Sequence, residues 1–251
     1  HVPFTLAAAR AGKHVLCAKP FALHARDLDV LREHAQHVHI REAFMVRHHP
    51  QWRTVREHLR AGEIGTPHYM HVAFSYYNDD PGNIRNAADI GGGAMYDIGC
   101  YAAAAGRWFL DATPLRAAAL VEIDPAFRTD RLASALLDFG DGRHLALTVG
   151  TQSLRYQRVQ IVGSHGRIDI EMPFNPAEGA PTRYAIQRRG DASPETITLP
   201  GANQYALQLD AFAHAVRHEQ PDASALDDAA INLRVIEAVF AAGRSGRFEP
   251  V

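Results

Sequence analysis

Apolar positions change their spacing along the chain, and each change marks an element. Phe4 to Ala11 reads as a helix closed by Gly12, and His14 to Cys17 as a short buried strand. A second cycle follows, in which Leu28, Val30, Leu31 and Ala35 predict a helix from Ala25 to Gln36 and Val38 to Val46 a second strand. Helix and strand alternating at this pitch build a parallel sheet. The pattern shifts after Arg47-His-His-Pro50: a helix from Gln51 to Arg60 ends at Gly62, and Tyr69 to Tyr77 alternates loosely as a strand. A helix from Gly91 to Phe109 precedes six predicted strands, Arg116–Ile123, Ala133–Phe139, His144–Gly150, Tyr156–Val162, Arg167–Glu171 and Thr182–Arg188. Turn signals such as Gly140-Asp-Gly142 separate them, and strands in succession without helices between them imply a largely antiparallel sheet. Two helices close the chain, Gln204 to His218 and Leu226 to Ala242.

Composition narrows the function classes. With 251 residues, 47% hydrophobic and 22% charged, the chain can bury a sizeable core, and 26 basic against 28 acidic residues leave a formal charge of -2. No electrostatic footprint for nucleic acid or an anionic membrane stands out, and no run of about eighteen apolar residues exists to span a bilayer. Two cysteines in apolar contexts, Cys17 and Cys100, read as reduced thiols, so a cytoplasmic location is expected. The fifteen histidines, His34, His37, His39, His48 and His49 among them, yield no metal-ligand pattern, and no metal is expected.

Two stretches carry the chemistry. Ala18-Lys19-Pro20 plants a lysine at the carboxyl end of a buried parallel strand, where open α/β sheets hold their ligands. Pro20 restricts the Lys19 backbone to extended shapes and admits a cis peptide bond. Read alone, Lys19 is equally a solvated strand-end lysine. Gly91-Gly92-Gly93-Ala-Met-Tyr-Asp97-Ile-Gly-Cys-Tyr101 supplies a carboxylate and a phenol at i and i+4 of a helix, behind three glycines that permit close backbone approach to a ligand. Oxidising an alcohol by hydride loss also removes the hydroxyl proton, a task for a phenol whose pKa of roughly 10 is lowered by a nearby ammonium. Arg47 is a candidate to reach a cofactor or substrate oxygen, though a surface arginine reads as well. Asn78, Asn83 and Arg85 are candidates to line a sugar pocket.

These motifs, with Gly62-Glu-Ile-Gly65 and Asp227-Asp-Ala-Ala-Ile-Asn232, resemble the glucose-fructose oxidoreductase, inositol dehydrogenase and MocA family over nearly the whole chain. The resemblance implies an NAD(P)-dependent oxidoreductase acting on a sugar, polyol or related cyclic alcohol, with NADP slightly favoured over NAD. It implies Lys19, Asp97 and Tyr101 as catalytic residues, with Tyr101 transferring the proton, Lys19 tuning it and Asp97 orienting. Lys19, Pro20 and Arg47 would touch the cofactor, and Asn78, Asn83 and Arg85 the substrate. Ala18 stands where the family has a glutamate before the lysine.

The expected architecture is α/β: residues 1–48 as the C-terminal part of a Rossmann domain, then 49–251 as an α+β substrate and dimerisation domain with a large, mostly antiparallel open sheet. The helix at 226–242 is placed to pack back on the first part. The small-molecule substrate is the expected partner, alongside further copies of the chain in a dimer or tetramer, with no nucleic acid and no membrane. No Gly-x-Gly-x-x-Gly occurs, so the chain reads as lacking the first βαβ half, about 70 residues, of a Rossmann fold. A non-catalytic sugar-binding or dimerising module is the rival reading.

Overall fold

The parallel pair expected near the start of the chain forms. In the computed structural model, which describes residues 1–251, β1 (Val15–Ala18) runs beside β2 (Ile40–Ala43), with Cys17 opposite Glu42 and Ala18 opposite Ala43. Helix α1 (Val2–Arg10) precedes β1, and Gly12 takes the left-handed conformation that reverses the chain between them. The segment expected as one helix over 25–36 is instead two 3-10 runs, Ala25–Leu31 and His34–Gln36. Leu28 and Leu31, three residues apart, are both fully buried while Val30 is exposed, an arrangement that three residues per turn satisfies as well as 3.6. The second strand is also shorter than expected, because the chain turns at Phe44 into a 3-10 run, Met45–His48.

Helix α2 (Pro50–Arg60) follows, burying Trp52, Val55 and Leu59 along one face. Trp52 anchors it: the indole N–H donates to the Pro173 carbonyl at 2.6 Å, and the ring packs on Phe109 and Phe174. The strands β3 (Pro67–Tyr77), β4 (Arg116–Ile123), β5 (Asp130–Asp138), β6 (His144–Gly150), β7 (Gln152–Gly163), β8 (Gly166–Ile170) and β9 (Thr182–Arg188) build one sheet. Two edge strands not expected from the sequence, β10 (Glu195–Leu199) and β11 (Glu249–Pro250), complete the order β10-β9-β8-β7-β3-β6-β5-β4-β11. Within this sheet only β3 and β6 pair in parallel, so the expected α/β class with a mostly antiparallel sheet holds.

One face of this sheet is the core. Ala133, Ala135 and Leu137 of β5 point inward and are buried, whereas Leu132 and Leu136 lie on the opposite, open face. Helix α3 (Cys100–Leu110) covers the inner face, and its all-small stretch Ala102–Gly106 lets it lie close to the sheet. After α4 (Gln204–His218), the long helix α5 (Ser224–Ser245) packs against β4 on one side and against β2 and the 25–31 run on the other. No helix is long and apolar enough to cross a membrane.

Glu42 faces inward from β2. Its Oε1 accepts from the Phe21 backbone N–H at 2.8 Å, and its Oε2 is buried without a partner. Burial pushes its carboxyl up from 4.5 to about 7, although the Phe21 hydrogen bond and the Arg47 charge oppose the shift. The folded chain therefore holds a proton here that the unfolded chain releases, and this contribution to stability is complete below about pH 4.5 and lost as pH rises through 7. Glu42→Gln should raise the unfolding midpoint at pH 8 by about 3 °C or more and leave it unchanged near pH 4. Thermal denaturation at both pH values checks this, and equal shifts at both would contradict it.

Candidate active site

Two cavities share a wall. The first, of about 760 Å³, is lined by Lys19, Met45, Tyr76, Tyr101, Phe174 and the loop bearing Asn78, Asn83 and Arg85. The second, of about 1100 Å³, is lined by Ala18 to Leu23, Arg26, Ile84, Ile90 and Tyr96. Lys19, Arg85 and Asp97 line both.

Lys19 leaves the end of β1, and its peptide bond to Pro20 is cis. The ammonium donates to the Asp97 backbone carbonyl and, at 3.1 Å, to Asp97 Oδ1. It also lies 4.8 Å from the centroid of the Tyr101 ring. Asp97 Oδ2 accepts from the Tyr76 hydroxyl at 2.6 Å and from Arg85 Nε at 2.9 Å. One carboxylate thus gathers two cations and a phenol. Burial alone would raise the Asp97 carboxyl, but Lys19, the Tyr76 hydrogen bond and Arg85 outweigh it and hold the pKa below the usual carboxylate range. Burial pulls the Lys19 amine down, whereas the Cys100 sulfur and the Asp97 carboxylate push it back above its ordinary value. Lys19 and Asp97 are both charged at neutral pH.

The helix expected from Gly91 begins later and differently. Met95–Gly99 form a π-turn, with Cys100 N–H bonding back to Met95 O, and α3 continues from it. Such turns recur at functional sites. Gly99 makes room for it, since a Cβ there would lie 2.7 Å from the Met95 sulfur. Of the preceding glycines, Gly91 lines the second cavity, whereas Gly92 and Gly93 serve the chain itself. Gly92 and Gly93 donate to the Ala87 and Arg85 carbonyls at 2.9 and 2.8 Å, and a Cβ on Gly92 would lie 2.6 Å from the Arg85 carbonyl oxygen. Gly93 packs on the Asp130 carboxylate, which caps the turn by accepting from Met95 N–H at 2.7 Å. The close approach expected of a ligand is made at Gly93 by the Asp130 carboxylate.

Tyr101 is buried among Phe44, Phe74 and Phe174, with its hydroxyl 3.4 Å from the Met45 sulfur. A thioether is a weak acceptor, so the phenolic proton has no strong partner in the protein. The expected lowering of its pKa is reversed: burial first, then the Cys100, Tyr205 and Asp97 groups, push it well above the ordinary phenol value. Lys19 faces the ring and not the oxygen, so its charge does not overcome the dry surroundings.

Asn78, Asn83 and Arg85 line the first cavity as expected candidates would. Asn83 Oδ1 caps Arg85 N–H, and Asn78 Oδ1 accepts from Asp80 N–H and Asn86 Nδ2, so the two carbonyl ends shape the loop and the amide NH2 groups remain free. Pro20 lines the second cavity. Arg47 lines neither: it pairs with Asp228 at 2.5 Å and lies over the Phe44 and Trp108 rings, which removes it from the cofactor position expected for it. Tyr76, Met45, Phe174 and Arg155 were not foreseen as site residues. For Tyr76 a signal existed, because it shares a strand face with buried Phe74 two residues away. The sequence reading also passed over a His-x-x-x-His pair on α4, His214 and His218, whose ring centroids are 4.6 Å apart. Glu219 lies 4.0 Å from His214, but no group of three metal-binding side chains converges there or elsewhere.

This geometry can be set beside known proteins. A family model described as the GFO/IDH/MocA C-terminal domain matches residues 52–169. The chain is 38% identical to an uncharacterized oxidoreductase, ORF334, of Rhizobium meliloti, over 100% of this chain and 77% of that protein. It belongs to the GFO/IDH/MocA family. D-xylose 1-dehydrogenase (NADP(+)) 2 of Haloferax volcanii is 30% identical over 98% of this chain and 75% of its own length. The crystal structure of KijD10, a 3-ketoreductase from Actinomadura kijaniata in complex with NADP and TDP-benzene, superposes with a TM-score of 0.87 at 30% identity. It covers 96% of this chain and 74% of that one.

Proposed function

We propose that this GFO/IDH/MocA protein is an NADP-dependent oxidoreductase of sugars or polyols, with Tyr101 as the proton-transferring residue, Lys19 as its electrostatic partner and Asp97 as the group that holds Lys19. The single observation that carries the reading is the shared wall. Lys19, Arg85 and Asp97 separate a polar cavity from a larger one whose Pro20, Leu23 and Ile90 offer apolar surface to a flat ring. These second-cavity residues fit the nicotinamide end of NADP, with Lys19 and Arg26 supplying cationic donors. NADP, when bound, carries the hydride to or from the substrate carbon.

The chain's own residues handle the proton. In the reducing direction a carbonyl oxygen in the first cavity gains negative charge, and Tyr101 donates its proton to that oxygen to complete the alcohol. A phenol held above its ordinary pKa is protonated at neutral pH, as this step requires. The resulting phenolate lies beneath the Lys19 ammonium, which Asp97 fixes from two sides. The amide groups of Asn78 and Asn83 donate to hydroxyls of the sugar.

The test is direct: purified protein is mixed with NADPH and a panel of ketoses, dTDP-linked keto sugars and aldoses, the last also with NADP. Sugar-dependent cofactor turnover is the expected result. Sugar binding by calorimetry with no turnover across the panel would instead support the module without catalysis.

A further inference from the structure

Arg47, Arg56, Arg107 and Trp108 line a separate cavity of about 330 Å³ on the far side of α3 from the Lys19 end, and no step proposed above uses it. Its polar inventory is unbalanced. Arg47 and Arg107 bind the two oxygens of Asp228, at 2.5 and 2.6 Å, and Arg56 binds Asp111 at 2.7 Å. Three guanidinium groups against two carboxylates leave one positive charge. Asp111 is 69% exposed, so its hold on Arg56 is weak and easily exchanged for another anion.

The unpaired donors are concentrated here. Of ten buried side-chain polar atoms without a partner in the whole chain, four are Nε of Arg47, Arg56 and Arg107 and Nε1 of Trp108. All four are N–H donors, and none of the cavity's acceptors is orphaned. Arg107 is only 9% exposed, which makes its unmet donor costly. Burial lowers the Arg107 pKa, although the Asp228 charge resists this. Arg56 is stacked 3.9 Å from the Trp108 centroid, which fixes the plane of its fork. A site short of acceptors, positively charged and lined by planar forks selects a small oxyanion.

We infer that this cavity binds a phosphate-like oxyanion, either inorganic phosphate or the phosphoryl group of a metabolite, with Arg56 and Arg107 as its principal donors. Isothermal titration with inorganic phosphate should give saturable binding of one ion per chain. At about ten times the dissociation constant, phosphate should raise the unfolding midpoint by about 3–5 °C. Both effects should vanish in Arg56→Gln, whose partly exposed side chain can be changed without emptying the core. They should persist in Arg244→Gln, which removes an exposed arginine elsewhere, and in Tyr101→Phe, which separates this site from the reaction. Glucose 6-phosphate as a second titrant names the source: tighter Arg56-dependent binding than phosphate points to a metabolite, equal or weaker binding to the free ion. Absence of saturable heat, an equal midpoint shift from chloride at matched ionic strength, or full binding by Arg56→Gln would overturn the assignment.

Discussion

Tyr101→Phe is expected to lower turnover by about 10²- to 10⁴-fold while NADPH affinity stays within about twofold. The reason lies in how little else the hydroxyl does. It adds one weak contact to the Met45 sulfur, whereas the ring packs on three aromatic neighbours that phenylalanine preserves. Loss of the oxygen therefore removes the proton and almost nothing of the fold. The ring also keeps its place beneath Lys19, so the wall between the cavities stays intact. Single-turnover kinetics with NADPH and fluorescence titration of the cofactor measure the two halves of this expectation separately. Unchanged turnover would remove Tyr101 from the reaction, and lost cofactor affinity would reassign it to binding.

Asp97→Ala should act on fold and activity together. Lys19 and Asp97 are each only 16% exposed, and removing the carboxylate takes away the charge partner of Lys19, which keeps only the Asp97 backbone carbonyl, and the acceptor of the Tyr76 hydroxyl, while Arg85, 47% exposed, turns to solvent. Breaking one side of such a pair costs about 3–5 kcal/mol, or about 6–10 °C in the unfolding midpoint of a chain this long. Turnover should fall at least as far as in Tyr101→Phe, because Lys19 loses the group that directs it. Asp97→Asn keeps the acceptor for Tyr76 and should recover part of the thermal loss without recovering turnover. A midpoint within 2 °C of the parent for Asp97→Ala, a limit set by about 1 kcal/mol, would show that the carboxylate is not the node described here.

How much of this was legible in the chain follows from the range of each interaction. The parallel pair and the antiparallel run of strands were readable because period two and period 3.6 are local properties. The 25–36 segment was misread because Leu28, Val30 and Leu31 have the same inside and outside placement in both kinds of helix, so their pattern does not separate the two. The edge strand β10 was passed over because it lies in a short Thr-rich stretch at the sheet margin. Lys19, Asp97 and Tyr101 were nameable from motif, and the structure brings all three to one cavity. Their electrostatics were not: the sign of the Tyr101 shift depends on Phe44, Phe74 and Phe174, which come from three distant stretches. Arg47 was misplaced for the same reason, since its partner Asp228 lies 181 positions away. Gly93 was read as ligand-facing because nothing local reveals Asp130 standing against it, whereas Gly91 does line the second cavity.

The segment from Asn78 to Gly93 is stitched down at its far end by backbone bonds from Gly92 and Gly93 to Ala87 and Arg85, and within by the Asn78 and Asn83 side chains. A frame of this kind leaves little freedom to lengthen or redraw the rim of the first cavity. A change of ligand on this scaffold would come more readily from exchanging the side chains that project from a fixed rim than from rebuilding the rim itself.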